Sequence, residues 1–211
     1  MTPTETRNER LAARLARNLA RRGMKAIYCP TAAEATEAVA AMIPDGATVS
    51  WGGSATIRDM GLTAALHAKG TLNILDRDKA TTTQEKIDIY HKALWADYYL
   101  SSANAMSEDG VIVNIDGNGN RVAAITYGPE HVVLVVGLNK VAQSVEAAIA
   151  RARSTASPIN AARFSIDTPC QADGVCHDCT SPDSICNYIH LLRHSPRGRH
   201  TVVLVGEPMG Y

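Results

Sequence analysis

Four of the five cysteines in this 211-residue chain lie within one short polar stretch near its carboxyl end. Their spacing is Cys170-x5-Cys176-x2-Cys179-x6-Cys186. A C-x2-C pair brings two thiolates onto one turn of the backbone, and two more nearby complete the set that zinc or an iron–sulfur cubane requires. The sequence therefore predicts one metal site formed by these four residues.

The kind of metal follows less directly from the spacing. Structural zinc sites favour two short C-x2-C pairs, whereas this segment contains one, and an irregular stretch that supplies every thiolate is more typical of iron–sulfur proteins. We therefore favour a [4Fe–4S] cluster, with Zn²⁺ as the alternative. His177 lies between two of the cysteines and is a substitute ligand, although its position favours a surface role.

A second set of candidate residues surrounds a pair of glycines, in the segment Ser50-Trp51-Gly52-Gly53-Ser54-Ala55-Thr56. Here an apolar strand gives way to a predicted helix. Gly52 and Gly53 let a ligand approach the backbone, and Ser54 and Thr56 stand at the start of the helix, whose free N–H groups favour an anion. Anion binding and a plain strand-to-helix turn both remain open at this point.

The segment from Ser101 to Gly110 follows another predicted strand, at the edge of the sheet where ligands gather in α/β proteins. Glu108 is a candidate nucleophile or general base, and Asn104 is the second candidate catalytic residue. A solvated turn is the alternative reading of this stretch.

Three further polar residues adjoin predicted strands later in the chain: Asn114, Arg121 and Lys140. Asn114 is a candidate to orient a ligand, and the two cations are candidates to bind the same anion as the glycine pair. The alternative is that these residues simply cover the surface and bind no ligand.

The elements that must position these residues alternate between apolar strands and amphipathic helices. This alternation predicts a single α/β domain over residues 1–211, with a mostly parallel sheet in a Rossmann-like three-layer α/β/α sandwich. Val132 to Val136 is the most apolar strand and is expected at the centre. Residues 165–198 are predicted to form a small Cys-rich insert before the last strand.

Two local patterns refine this picture. Residues 111–115 and 121–125 flank Asp116-Gly117-Asn118-Gly119-Asn120, which predicts a β-hairpin. Thr6 and Glu9 form a capping-box pattern for the first helix, whose Leu11, Leu15 and Leu19 create an apolar face. That face is a candidate contact for a homodimer.

Composition excludes some functions. Lys plus Arg (21) balance Asp plus Glu (21), and aromatic residues make up 5% of the chain, which argues against a nucleic-acid partner. No apolar run has the length of a membrane span, and the first residues lack the apolar core of a secretion signal. We therefore expect a cytoplasmic protein without a membrane partner, whose cysteines bind metal rather than form disulfides.

Three stretches resemble the LUD (lactate utilisation) domain family. They are SWGGSATIRDMGL (50–62), ADYYLSSANAMSEDGVIVNIDGNGNRVAAITYGPEHVVLVVGLNKV (96–141) and TPCQADGVCHDCTSPDSICN (168–187). The resemblance implies a fold related to sugar-phosphate isomerases and CoA transferases. It also implies a link to the oxidation of lactate to pyruvate alongside iron–sulfur partner proteins. The cysteine segment is not part of the minimal LUD domain and indicates a cysteine-bearing branch.

Three functions follow as hypotheses. The first is a protein of lactate-type metabolism that binds a small anionic metabolite and works beside iron–sulfur or oxidoreductase partners. The second is a transferase or isomerase that uses Glu108, because Ser107-Glu108-Asp109-Gly110 is similar to the catalytic turn of CoA transferases. The residues after that turn depart from the glycine-rich continuation expected in a transferase. The third is a binding or regulatory module whose metal is structural.

Overall fold

The computed structural model describes residues 1–211, and at its centre is a six-stranded parallel sheet. The strands of the chain are β1 (Lys25–Cys29), β2 (Thr48–Trp51), β3 (Asn73–Leu75), β4 (Tyr98–Ser102), β5 (Ala105–Ser107), β6 (Ile112–Asp116), β7 (His131–Gly137), β8 (Val141–Ala142), β9 (Tyr188–Leu192) and β10 (His200–Val205). The order in the main sheet is β1-β10-β7-β4-β2-β3. The apolar strand β7 is therefore central, as predicted.

Nine α-helices accompany the strands. They are α1 (Pro3–Arg21), α2 (Ala32–Met42), α3 (Ala55–Asp59), α4 (Leu62–Lys69), α5 (Thr83–Ala93), α6 (Asn120–Thr126), α7 (Val145–Arg151), α8 (Ser157–Ala161) and α9 (Pro169–Asp173). A π-helical turn, Ala152–Ala156, joins α7 to α8. No helix combines the length and the apolar character needed to cross a membrane.

The central strand shows why the fold has three layers. Side chains alternate across a strand, so Leu134 of β7 packs into one core and Val133 and Val135 into the other. The first core contains Leu15 and Leu19 of α1, and the second contains residues of α2, α3 and α4. Helices thus cover both faces of a parallel sheet, which confirms the predicted α/β/α sandwich.

A second, smaller sheet has the order β8-β5-β6-β9. Its β5 and β6 pair antiparallel and form a hairpin whose turn contains Glu108. The predicted hairpin between residues 111–115 and 121–125 is wrong, because the second of these stretches is helix α6. Asp116 explains the difference: its carboxylate accepts hydrogen bonds from the backbone N–H groups of Gly119 (3.1 Å) and Val122 (3.2 Å), which caps the start of a helix.

The first helix begins earlier than predicted. Thr2 and Glu5 form its capping box, in place of the predicted Thr6 and Glu9. Leu15 and Leu19 are fully buried against the sheet of their own chain. The leucine face that was a candidate homodimer contact is therefore occupied within the chain.

The Cys-rich segment lies between α8 and β10, before the last strand. It contains the short helix α9 and ends in β9, which pairs antiparallel with β6. The end of the segment therefore belongs to the second sheet. Its beginning is closed into a loop by the backbone N–H of Asp167, which donates to the carboxylate of Asp183 over 2.9 Å.

Candidate functional site

Lys140 is the most deeply buried cation of the chain, with 3% of its surface exposed. It is the last residue of the 3-10 turn Leu138–Lys140 that follows β7, and its Nζ atom lies beyond the carboxyl ends of β2 and β4. Nζ donates hydrogen bonds to Thr56 Oγ1 (2.9 Å), Ser102 Oγ (3.1 Å) and the carbonyl oxygen of Ala103 (3.1 Å). None of these partners is a carboxylate, so the ammonium group has no counter-ion in direct contact.

The surroundings of Lys140 disfavour its charged form. Burial, and then the positive charges of Arg151 and Arg121, lower the pKa of the amine to about 7. A large fraction of the amine is therefore neutral near physiological pH. A neutral buried amine can accept a proton or act as a nucleophile, which an ordinary surface lysine cannot do at this pH.

Arg121 of α6 is held rigidly beside this lysine. Its guanidinium donates to Asn114 Oδ1 (2.9 Å), to Asn104 Oδ1 (3.4 Å) and to the carbonyl oxygen of Ile115. Its Nε lies 3.4 Å from the Asp116 carboxylate. The two asparagines thus position Arg121, and Asn114 itself is fully buried behind it.

The glycine pair allows two arginines to approach the backbone closely. A Cβ atom on Gly52 would lie 2.9 Å from Arg121 Cδ, and one on Gly53 would lie 3.0 Å from Arg77 Nη1. Ser54 caps α3 by accepting a hydrogen bond from a backbone N–H group. A side chain at Gly52 would therefore displace Arg121, and one at Gly53 would require the end of the Arg77 side chain to shift.

These residues surround a cavity of about 320 Å³ at the carboxyl edge of the main sheet. Ligands of α/β proteins bind at this edge. The cavity is lined by more positive than negative side chains: Arg58, Arg77, Lys86, Arg121 and Arg163 against Asp78 and Asp116. Asp116 lies 3.4 Å from Arg121 and Asp78 lies 3.6 Å from Arg77, so three of the five cations have no acidic partner in the wall and the cavity carries an excess of positive charge.

Two residues of the cavity wall contain buried hydrogen-bond donors without an acceptor, Trp51 Nε1 and Arg77 Nε. Buried donors almost always have a partner, and leaving one unpaired costs roughly 1–3 kcal/mol. Arg77 is further held in place by the ring of Tyr90, with its guanidinium carbon 5.1 Å from the ring centre. The wall is therefore arranged for a ligand that accepts hydrogen bonds.

An inner recess of about 50 Å³ connects this cavity with Lys140. Gly53, Ser54, Arg121, Asn160 and Arg163 line both spaces, whereas Thr56, Ser102, Lys140 and Tyr211 line only the recess. Gly210 closes over the lysine with a left-handed φ of 55°, and a Cβ there would lie 2.5 Å from Thr56 Oγ1. The recess has room for a few water molecules or one small organic group.

A larger depression of about 1130 Å³ lies between α5 and α6. Several of its lining side chains are exposed, including Tyr127 (84%) and Tyr188 (51%). It meets the arginine-lined cavity at Lys86 and Tyr90. Because it contains no buried charged group, we place the chemistry in the smaller cavity.

The structure brings most of the predicted pocket residues together. Gly52, Gly53, Ser54, Thr56, Asn104, Arg121 and Lys140 line the cavity or its recess. Glu108 is not among them: its carboxylate lies 3.2 Å from Arg14 of α1, and its carbonyl oxygen accepts a hydrogen bond from Asn18. The turn between β5 and β6 is therefore attached to α1 through these contacts of Glu108.

Sequence reasoning did not identify Arg77, Arg163 or Tyr211. Arg77 follows β3, so its place at a strand end was a usable signal. Arg163 follows α8 in a stretch without a motif, and its Nη1 donates to the hydroxyl of Tyr211 over 2.8 Å. No sequence signal pointed to these last two residues.

The four cysteines are near one another but do not form a chelating group for a single ion. No three His, Cys, Asp or Glu side chains are arranged to hold a metal ion. Burial raises the pKa of the Cys186 thiol, and the nearby thiols of Cys176, Cys170 and Cys179 raise it further. His177 pairs with Asp173 at 2.8 Å.

The cysteine segment also forms part of the wall of the arginine-lined cavity. Ser184 and Ile185, the residues before Cys186, line that cavity. The contact is close, because a Cβ on Gly117 would lie 3.1 Å from Ile185 Cα, and Asn187 Nδ2 donates to the Gly117 carbonyl over 3.0 Å. The cysteines and the cavity are therefore neighbours in the fold.

Comparisons with known proteins extend these observations. A family model described as LUD domain matches residues 12–205. No protein of curated description matches the chain. A crystal structure of a DUF162 family protein from Deinococcus radiodurans is similar at a TM-score of 0.56 and 16% identity, covering 94% of this chain and 98% of that one. At this identity the likeness concerns the fold.

Two other solved structures match about half of the chain. They are eIF2B delta from Chaetomium thermophilum (TM-score 0.36, 14% identity, 53% of this chain and 48% of that one) and ribose 5 phosphate isomerase A from Neisseria gonorrhoeae (TM-score 0.36, 14% identity, 53% and 52%).

Proposed function

Because this chain belongs to the LUD domain family, we propose that its arginine-lined cavity binds a small carboxylate of lactate-type metabolism. Family membership relates the chain to lactate utilisation, and the proposal adds a place and a class of ligand. One observation carries it: five cationic side chains and unpaired buried donors share one cavity.

The chemistry of the wall favours a carboxylate. Arginine presents N–H groups in a planar fork that matches the two oxygens of a carboxylate, and such charged hydrogen bonds are stronger than neutral ones. Arg77 is suited to this role because Tyr90 and the backbone at Gly53 hold its guanidinium in place. A ligand bound there would accept from Arg77 Nε, which makes no hydrogen bond in the chain and has only the Asp78 carboxylate near it, at 3.6 Å.

The size of the cavity limits the ligand. Its volume of about 320 Å³ lies at the lower end of the range for small-molecule sites, roughly 300–1,000 Å³. A three- or four-carbon acid fits this space better than a nucleotide or an acyl-CoA. The volume therefore supports a small metabolite over the larger substrates of a CoA transferase.

Calorimetric titration with L-lactate and pyruvate tests the proposal. We expect Arg77→Gln to weaken binding by about tenfold or more, because a hydrogen bond to a charged group contributes roughly 1.5–3 kcal/mol. Arg10→Gln, on the exposed side of α1, is the matched control and should bind like the unchanged protein. If neither acid binds, or if Arg77→Gln binds equally well, the cavity does not have this function.

For the four cysteines we propose a [4Fe–4S] cluster, with Zn²⁺ as the alternative. A single zinc ion holds four sulfurs at about 2.3 Å, so they must lie within roughly 4 Å of one another. In a cubane each thiolate binds a different iron atom, so the sulfurs stand farther apart. The thiols of Cys170, Cys176 and Cys179 are close enough to Cys186 to raise its pKa, which supports a site that all four share.

A redox role for such a cluster would pair the protein with iron–sulfur or other oxidoreductase partner proteins. Iron and sulfide analysis of protein purified without oxygen tests the cluster. We expect a brown protein that loses iron, sulfide and visible absorbance in Cys176→Ser but keeps them in the control Cys29→Ser. Colourless protein with stoichiometric zinc would establish the alternative, and metal-free protein would remove the site.

A further inference from the structure

We propose that Lys140 forms a reversible covalent imine with the carbonyl carbon of a 2-oxo acid whose carboxylate binds in the arginine-lined cavity. This inference rests on the proposed function, because it uses the same anion site. It adds a covalent step and a narrower class of substrate, an acid with a carbonyl group next to its carboxylate.

The position of Lys140 supports this role. The amine borders the inner recess of about 50 Å³, while Arg121 and Arg163 border both the recess and the outer cavity. A carboxylate on the arginines therefore places the adjacent carbon towards the lysine. In a 2-oxo acid that adjacent carbon is the electrophilic carbonyl, and the recess has room for the small group attached to it.

The hydrogen-bond partners of Lys140 allow the amine to lose its proton. The charged form donates to Thr56 Oγ1, Ser102 Oγ and the carbonyl oxygen of Ala103. A hydroxyl can donate as well as accept, so Thr56 or Ser102 can turn and donate to the neutral amine. Deprotonation therefore leaves no buried group without a partner. If all three partners were carbonyl oxygens, none of them could donate a hydrogen bond to the lone pair of the neutral amine.

The charges that face Lys140 act in the same direction. Arg151 and Arg121 both disfavour the ammonium form, and Arg163 borders the same recess. No carboxylate contacts Nζ, so no group in direct contact stabilises the ammonium form. Arg121 also lines the outer cavity, so its charge both disfavours the ammonium form of Lys140 and attracts the carboxylate of the substrate.

The covalent step balances without an oxidant or a reductant. The lone pair of neutral Nζ attacks the carbonyl carbon, a C–N bond forms, and the electron pair of the C=O π bond moves to oxygen, which takes a proton. Nitrogen loses one proton, which gives a carbinolamine. Its hydroxyl takes a second proton and leaves as water when the C–O bond breaks, while the nitrogen lone pair forms the C=N bond and nitrogen loses its remaining proton. The net change is amine plus ketone to imine plus water, with the hydroxyls of Thr56 and Ser102 within reach of Nζ as proton carriers.

Reductive trapping tests the imine directly. The full-length protein is incubated with pyruvate and sodium cyanoborohydride, and intact mass spectrometry detects one reduced adduct, which peptide mapping assigns to Lys140. We expect at least a tenfold loss of adduct in Lys140→Arg, which keeps a hydrogen-bond donor at this position but cannot form the imine. Lys92→Arg, exposed on α5, is the matched control and should be labelled like the unchanged protein.

Calorimetric titration of pyruvate on the same samples separates this inference from the proposed function. Pyruvate that binds without a trapped adduct overturns the imine and leaves the anion site intact. Absence of both binding and adduct overturns both. An adduct that persists in Lys140→Arg, or that spreads equally over many lysines, also overturns the role of Lys140.

Discussion

The Nζ atom of Lys140 and the Oγ1 atom of Thr56 lie 2.9 Å apart, although 84 positions separate the two residues in the chain. This bond joins the segment after β2 to the segment after β7 at one edge of the main sheet. Because those strands are parallel, their carboxyl ends meet there, and the glycine pair, the arginines and the buried amine occupy one site.

The buried amine should make stability depend on pH in a specific direction. Lys140 releases its proton at about pH 7 in the folded protein, whereas an unfolded lysine keeps it until about pH 10.5. The unfolded state thus binds more protons between these values, so the free energy of unfolding should rise with pH by up to about 1.4 kcal/mol per unit.

Urea unfolding across this pH window measures the effect as the difference between the unchanged protein and Lys140→Met. We expect the contribution to be absent from the variant, while Lys92→Met, an exposed lysine, should follow the unchanged protein. Parallel curves for the unchanged protein and Lys140→Met would mean that Lys140 titrates normally.

His200 should produce a second pH effect, on the acidic side. It is 1% exposed, its Nδ1 pairs with Ser195 Oγ (2.8 Å) and its Nε2 with the carbonyl oxygen of Ile125 (2.9 Å). Burial lowers the pKa of the imidazole to about 4 from 6.5. Its contribution to stability is therefore complete above about pH 6.5 and is lost as the pH falls towards 4.

The expected loss through His200 is about 3 kcal/mol over that window, since each pKa unit corresponds to about 1.4 kcal/mol. Denaturation of His200→Asn should show a smaller decline in stability on acidification than the unchanged protein. His91→Asn, on the exposed face of α5, serves as the control. An equal decline in His200→Asn and the unchanged protein would contradict a buried neutral imidazole.

Glu108→Gln should leave pyruvate binding unchanged, because Glu108 contacts Arg14 and Asn18 of α1 instead of the cavity. We expect its stability to fall by no more than about 1 kcal/mol, as for other partly exposed ion pairs. Calorimetric titration and urea unfolding give the two values. A marked loss of binding in this variant would mean that Glu108 takes part in binding the ligand.

Gly52→Ala should weaken anion binding, because the new methyl group would lie 2.9 Å from Arg121 Cδ and displace that side chain. Overpacking of this kind costs roughly 1–3 kcal/mol of stability. Gly61→Ala is the control: its methyl would meet nothing within 4 Å, and the change strains only the backbone, at a φ of 80°. Equal affinity for pyruvate in the two variants would show that Gly52 does not protect the site.

Much of the scaffold could be predicted from the amino-acid pattern. Alternating apolar strands and amphipathic helices predicted the α/β/α sandwich, and the run Val132 to Val136 predicted its central strand, because strong local periodicity leaves few ways to bury apolar surface. The placement of Gly52, Gly53 and Lys140 after strands was enough to assign them to one edge of a parallel sheet. The motifs around them also predicted the family.

Other features depended on contacts between distant residues. The stretch 121–125 has an apolar pattern compatible with a strand. It is a helix, and the backbone N–H groups of Gly119 and Val122 at its start donate hydrogen bonds to the Asp116 carboxylate. Glu108 comes after a strand, which is where active-site residues of α/β proteins often lie. In the folded chain, however, its carboxylate pairs with Arg14 of α1.

The cysteine spacing by itself predicted a metal site, and it contained no information about what lies beside that site. Only the tertiary structure placed Ile185 against Gly117 in the wall of the cavity, because this contact joins residues far apart in the chain. The same holds for the chemical state of Lys140. A lysine after a strand is an ordinary cation until burial and the charges of Arg151 and Arg121 disfavour its proton, and both arise only when the chain folds.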